Sequence, residues 1–176
     1  MLHDNNMTKT VFHALLDAKT SSKTCKITFE HWPSIYINGI GGVVLTAANE
    51  DRITAILASA LANVKLEDFS LLDEPPEEQQ EMRSISLDLA IWRAGILWNE
   101  NVLLADLDLD KKLQLGNWEG FSKENTFPEH ITLLSALAVM NYSPKELQKI
   151  TQIKMNEIIC FVNAGYGVGF LSLVNT

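Results

Sequence analysis

The chain has 176 residues, 47% of them hydrophobic and 20% charged, with a net charge of −8 and a pI near 4.9. That length and apolar fraction are enough to bury a core and exclude a disordered polymer. The acidity excludes a protein that wraps phosphates over its whole surface, so any nucleic-acid contact depends on a local basic patch.

In chain order, Thr8 to Ala18 reads as a helix with Val11, Phe12, Leu15 and Leu16 on one side, followed by a Ser/Thr/Lys loop from Thr20 to Thr24. Cys25 to Trp32 alternates apolar and polar residues, the pattern of a half-buried strand, and Pro33 ends it. Ser34 to Ile37 reads as a second strand, Asn38-Gly39 as a turn, and Gly42 to Ala47 as a third strand. Asn49 is a good N-cap for a helix from Glu50 to Asn63, whose stripe is Ile53, Ile56, Leu57, Ala60 and Leu61. The run Asp73-Glu74-Pro75-Pro76-Glu77-Glu78 combines two prolines with four carboxylates and reads as a solvated linker.

Glu81 to Asn99 reads as one long helix with two apolar stripes. Met82, Ile85, Leu89, Trp92 and Ile96 form one, and Leu87, Ile91, Ala94 and Trp98 the other. A helix apolar on both sides is buried on both sides, by its own core or by a partner. Leu103 to Trp118 alternates again, through Leu107, Leu109, Leu113 and Leu115. Ile27, Phe29, Trp32 and Ile35 match Leu113, Leu115, Trp118 and Phe121 at equal spacing, which raises a duplicated unit as an alternative. Thr126 and Glu129 have capping-box spacing before a helix from Pro128 to Met140. Ser143-Pro144-Lys145-Glu146 opens a second helix ending near Thr151, and a third starts near Met155. Two capped helices separated by a short turn make a helix-turn-helix pattern.

No constellation in the chain carries chemistry. Asp106-Leu107-Asp108-Leu109-Asp110 begins like a calcium loop, but the positions for the required Gly and bidentate Glu are Lys111 and Asn117. Asn38 to Gly42 is rich in glycine, yet Val43-Val44-Leu45 follows where a phosphate loop needs a helix. His3, His13, His31 and His130 show no two-ligand spacing. Cys25 and Cys160 are far apart, which reads as two reduced thiols, and Cys160 lies between Ile159 and Phe161 as an inert buried one. No enzyme activity, cofactor or metal is expected. Met1 to Thr10 lacks the apolar segment of a signal peptide, and Ile40 to Ala48 is too short to span a bilayer. The expected location is cytoplasmic, without membrane contact.

The helix-turn-helix conflicts with its own charge. From Lys123 to Thr176, Lys123, Lys145, Lys149 and Lys154 balance Glu124, Glu129, Glu146 and Glu157, and no Lys or Arg follows Lys154. A recognition helix places basic or polar groups against bases and phosphates. The balance favours a protein partner over DNA. A DNA-binding regulator using Lys145, Lys149 and Lys154 is the alternative.

Trp98, Leu107-Asp108-Leu109-Asp110, Leu115 and Trp118, then Phe161-Val162-Asn163-Ala164 and Gly169-Phe170-Leu171, give the stretch from Leu89 to Leu171 a family likeness. It resembles a C-terminal winged-helix-like module of uncharacterised proteobacterial proteins, some encoded near small MglA-like GTPases and Roadblock-type proteins. The chain departs from that pattern in having Trp118-Glu119 where the family often has Trp-Pro, and in lacking its frequent arginines. The resemblance implies a regulatory or adaptor role, with a small GTPase or a Roadblock-type protein as partner.

The resulting expectation is an α+β protein. A small N-terminal lobe of antiparallel strands and helices covers 1–72, the acidic linker 73–81, and a winged-helix-like helix-turn-helix lobe 82–176. The two lobes either share one core or stand apart. The expected function is a non-enzymatic protein-interaction or adaptor module, self-associating or bound to a regulatory protein. Trp92, Trp98, Tyr166 and Phe170 are its candidate contact residues.

Overall fold

A computed structural model describes residues 10–60, 65–68, 82–98, 100–118 and 127–174. The chain divides into two compact units, Met1–Ala90 and Ile91–Thr176. The class is α+β, with the larger sheet in the first unit and the run of consecutive helices in the second.

The first unit contains α1 (Val11–Ser21), β1 (Thr24–Thr28), β2 (Ile35–Asn38), β3 (Val43–Thr46), α2 (Glu50–Leu57), β4 (Lys65–Asp68) and β5 (Arg83–Ser86). Its strands form one antiparallel sheet in the order β4-β1-β2-β3-β5. Alternation with a period of two places Cys25, Ile27, Ile35, Ile37, Val44 and Thr46 on one buried face. Helix α1 packs on β2 and on α2, with Phe12 and Leu15 fully buried. Asn49 caps α2 as expected, its side-chain oxygen accepting the Arg52 N–H at 3.0 Å.

The glycine-rich stretch is a hairpin turn. Asn38 Oδ1 accepts the Gly41 N–H at 2.7 Å, and Gly42 takes a φ of +66°. Gly39 is dictated by a different contact, since a Cβ there would lie 2.1 Å from the Ala18 carbonyl oxygen. The turn therefore sits against the end of α1, a contact invisible in local sequence.

The single helix expected over Glu81 to Asn99 is corrected to a strand followed by a helix. Arg83 to Ser86 pairs with β3, Ile85 opposite Val44, and α3 occupies only Leu87–Leu97. Ser86 ends the strand and starts the helix, its Oγ accepting the Leu89 N–H at 3.1 Å. The Met82–Ile85 spacing of three fits a helix and puts the two on opposite faces of a strand, so the sheet edge offered by β3 overrode the helical period. This strand follows the acidic run yet belongs to the first sheet. The division between units accordingly falls at Ala90, within α3, and not at 73–81. The acidic run itself lies outside the described residues.

The second unit contains the rest of α3, then β6 (Leu113–Leu115), α4 (Pro128–Val139), α5 (Pro144–Thr151), α6 (Met155–Val168) and β7 (Leu171–Leu173). Strands β6 and β7 pair antiparallel, Leu113 opposite Leu173 and Leu115 opposite Leu171. The longer strand expected from Leu103 is corrected to these three residues. Leu103 and Leu107 instead pack on the core from irregular chain, and Asp110 N–H turns back onto Asp108 Oδ1 at 2.8 Å. Among the described residues the two matched blocks do not form a repeated unit, because β1 lies between two strands of a five-stranded sheet and β6 has β7 as its neighbour in a two-stranded one. Phe121 lies outside the described residues.

Helix α5 starts as its sequence requires. Ser143 Oγ accepts the Glu146 N–H at 3.3 Å, and Glu146 Oε2 accepts the Ser143 N–H at 2.8 Å, with Pro144 at the first position. Ser143→Ala is expected to lower stability by about 1 kcal/mol, read by urea denaturation. The Ser143 backbone N–H also holds the Glu146 carboxyl below its ordinary range. The support from that carboxylate is present above the usual carboxylate pKa and fades as pH falls through the folded value. The cap of α4 differs from expectation. Phe127 is the N-cap, and His130 Nδ1 accepts the Phe127 N–H at 3.3 Å, the reciprocal half of a capping box. Thr126, the expected cap, lies outside the described residues.

Candidate interaction surface

The core of the second unit is aromatic. Trp92 meets His130 at 5.3 Å, Phe161 at 5.9 Å and Phe170 at 5.4 Å between ring centres. Leu113, Leu133, Leu147 and Ile158 surround this group, all fully buried. Trp92, Trp98 and Phe170 are each at most 5% exposed. As contact residues these three are corrected to core, because their apolar area is already out of water within the chain. Tyr166 lies on the last turn of α6, half-buried, and is not part of this ring cluster.

Helix α6 is the second of the two helices expected to form a helix-turn-helix, joined to α5 through Gln152 to Lys154 with Gln152 in the left-handed region. Every residue from Ile158 to Gly165 is buried. The segment after α3 does part of this covering. Cys160 Sγ donates to the Trp98 carbonyl at 3.2 Å. Asn163, fully buried, accepts the Leu104 N–H at 2.9 Å and donates to the Val102 carbonyl at 2.8 Å. Burial pushes the Cys160 thiol pKa up, with Glu157 reinforcing it, and disfavours a reactive thiolate. Of the lysines, Lys145 pairs with Asp110 at 2.6 Å, while Lys149 and Lys154 are exposed on α5 and at the α6 N-cap.

The far side of α4 faces outward. This helix buries His130, Leu133, Leu134 and Leu137 against the core. Phe127, Ile131, Val139 and Met140 stay between 52% and 82% exposed. Phe127, Ile131, Ser135 and Val139 recur every four residues, so they share one side, and Ala138 lies beside them. Glu129 is the single charged residue of the helix, and the outward stripe contains none. Exposed apolar side chains that gather on one strip are more informative than the same residues scattered singly. The signal was present in the sequence as a helix from Pro128 to Val139 with one charged residue and apolar side chains on more than one face.

The described residues offer little else for binding. A half-open cavity of about 250 Å³ in the first unit is lined by Asp17, Lys23, Cys25 and Glu67 among others. No group of three His, Cys, Asp or Glu side chains converges as metal ligands, and no helix is long and apolar enough to cross a membrane, among the described residues. Comparison with known proteins adds no assignment. No protein family, curated protein or solved structure matches this chain.

Proposed function

We propose that this chain is a non-enzymatic protein-interaction module that docks a protein partner on the outward face of α4. The observation that carries the reading is the uncharged strip of Phe127, Ile131 and Val139 on a helix whose other side is already committed to the core. The strip also sits on a chain of net charge −8, where a charge-free surface lets a partner approach without desolvating ions. The buried run Ile158–Gly165 leaves only the first turn of α6 for reading bases, and that turn sets Lys154 against Glu157, which supports this reading over DNA binding. A small GTPase or a Roadblock-type protein, the partners implied by the resemblance, is the adaptor form of the proposal. It is a regulatory role for a cytoplasmic protein.

The test is the double substitution Ile131→Glu and Val139→Glu in the full chain. Both sites are exposed, so circular dichroism and melting temperature are expected to stay near wild type. Retention of a stoichiometric partner by the tagged protein is expected to fall roughly 100-fold, as two charges buried in an interface cost about 3 kcal/mol. A wild-type chain that is dimeric by light scattering, and monomeric when substituted, identifies the partner as a second copy. Unchanged retention and unchanged mass in the folded variant would overturn the proposal.

A further inference from the structure

The N-terminus of α4 is closed by an unusual group. In most capping boxes a Glu or Gln at the third helical position accepts the N-cap N–H. Here the acceptor is an imidazole. His130 Nδ1 takes the Phe127 N–H at 3.3 Å, which assigns the ring proton to Nε2. The ring is 7% exposed and lies 5.3 Å from Phe127, 5.3 Å from Trp92 and 5.8 Å from Phe161.

We propose that His130 is an acid-sensitive latch on the first turn of α4, closed when the imidazole is neutral and released when it takes a proton. Three physical effects oppose the imidazolium there. Protonation consumes the Nδ1 lone pair and sets two N–H donors face to face. The new charge sits in the first turn of a helix, where the peptide dipoles already present their positive end. It is also enclosed by rings instead of water. Glu129, exposed on the same turn, pulls the other way, but burial outweighs it and holds the His130 pKa below the ordinary 6.5.

Most of the surrounding charges are engaged elsewhere. From α3 the ring meets Trp92; the charged residues of that helix are Asp88, paired with Lys19, and Arg93, half-buried. From α6 it meets Phe161, while Glu157 acts on Cys160. β6 has no titratable residue, and on α5 Lys145 pairs with Asp110, Glu146 caps Ser143 and Lys149 acts on Glu146. The sign follows from a depressed imidazole. The stability given by the neutral ring is complete above the unfolded value near 6.5 and is lost as pH falls through the lower folded value. Opening releases Phe127, the first residue of the exposed α4 strip, and admits water to Trp92. The latch belongs to the helix cap and does not depend on what the strip docks.

Proton titration of the 176-residue chain by NMR tests it, with His130→Gln to assign the ring signal. Glutamine keeps a side-chain acceptor for the Phe127 N–H and cannot titrate. The expected result is a His130 ring that titrates with a midpoint below 6.5, with the Phe127 to Ile131 amide signals moving at that same midpoint. In His130→Gln those amides stay still through the window, and the melting temperature falls less between pH 7 and pH 5 than in wild type. A His130 midpoint at or above 6.5, or a Phe127 amide that moves at another midpoint, overturns the latch. Both readings come from the wild-type chain, so they stand even where the variant folds poorly.

Discussion

Trp92→Ala is expected to lower the stability of the second unit by about 4 kcal/mol, the usual cost of removing a large aromatic from a packed core. Trp92 holds His130, Phe161 and Phe170 together, so its loss leaves a cavity lined by rings that cannot collapse onto one another. Small domains are stable by only about 5–15 kcal/mol, so the variant unit approaches its unfolding threshold at physiological temperature. Urea denaturation followed by circular dichroism measures the change. Trp92→Phe keeps an aromatic ring and is expected to cost less than half as much. A loss below about 1 kcal/mol for Trp92→Ala would remove Trp92 from the core and return it to the surface, where its sequence context first suggested a contact residue.

The second large effect is expected at Asn163. Its amide bridges Val102 and Leu104 like a second backbone, accepting from one and donating to the other. Asn163→Leu keeps the branched shape of the side chain, with somewhat more bulk, and removes both hydrogen bonds. The expected cost is about 2–4 kcal/mol, one to two kcal/mol for each backbone group left unpaired in a partly buried site. Asn163→Asp separates charge from shape. The carboxylate still accepts the Leu104 N–H, but its other oxygen faces the Val102 carbonyl at the place where an N–H donated. That repulsion and the full burial raise the folded pKa of the new carboxyl. The protonated acid donates to Val102, so the penalty is small near pH 4 and grows as pH rises through the folded value. Denaturation at pH 4.5 and pH 7.5, compared with wild type at each pH, checks the sign. A penalty that shrinks with rising pH would rule out the bridging geometry.

Both predictions concern groups whose roles were partly written in the chain. The Ser143-Pro144-Lys145-Glu146 box, the Asn49 cap and the alternation of Cys25 to Thr28 are local chemistry, and the structure carries each of them. Cys160 was legible as an inert thiol because apolar neighbours flank it in a helical register. The Phe-x-Asn-Ala motif was visible as a pattern, but its purpose was not. Asn163 bonds to residues about sixty positions away, and no period or composition encodes that partner.

The same distinction explains the contact residues. A tryptophan on an apolar stripe has the same sequence signature whether it faces a core or another protein. For Trp92, Trp98 and Phe170, packing within the chain decided for the core. The outward strip of α4 became visible only after Leu133, Leu134 and Leu137 were seen to occupy the inward side. The sequence by itself determined the α+β class, the hairpin, two of the helix caps and the scarcity of positive charge after Lys154, because each follows from local preference or from counting. Tertiary structure decided that Arg83 to Ser86 joins the first sheet, that the segment after α3 closes over α6, and which side of α4 meets water. Those outcomes rest on which long-range surfaces and unpaired backbone groups find each other, and that competition is settled only when the whole chain is packed.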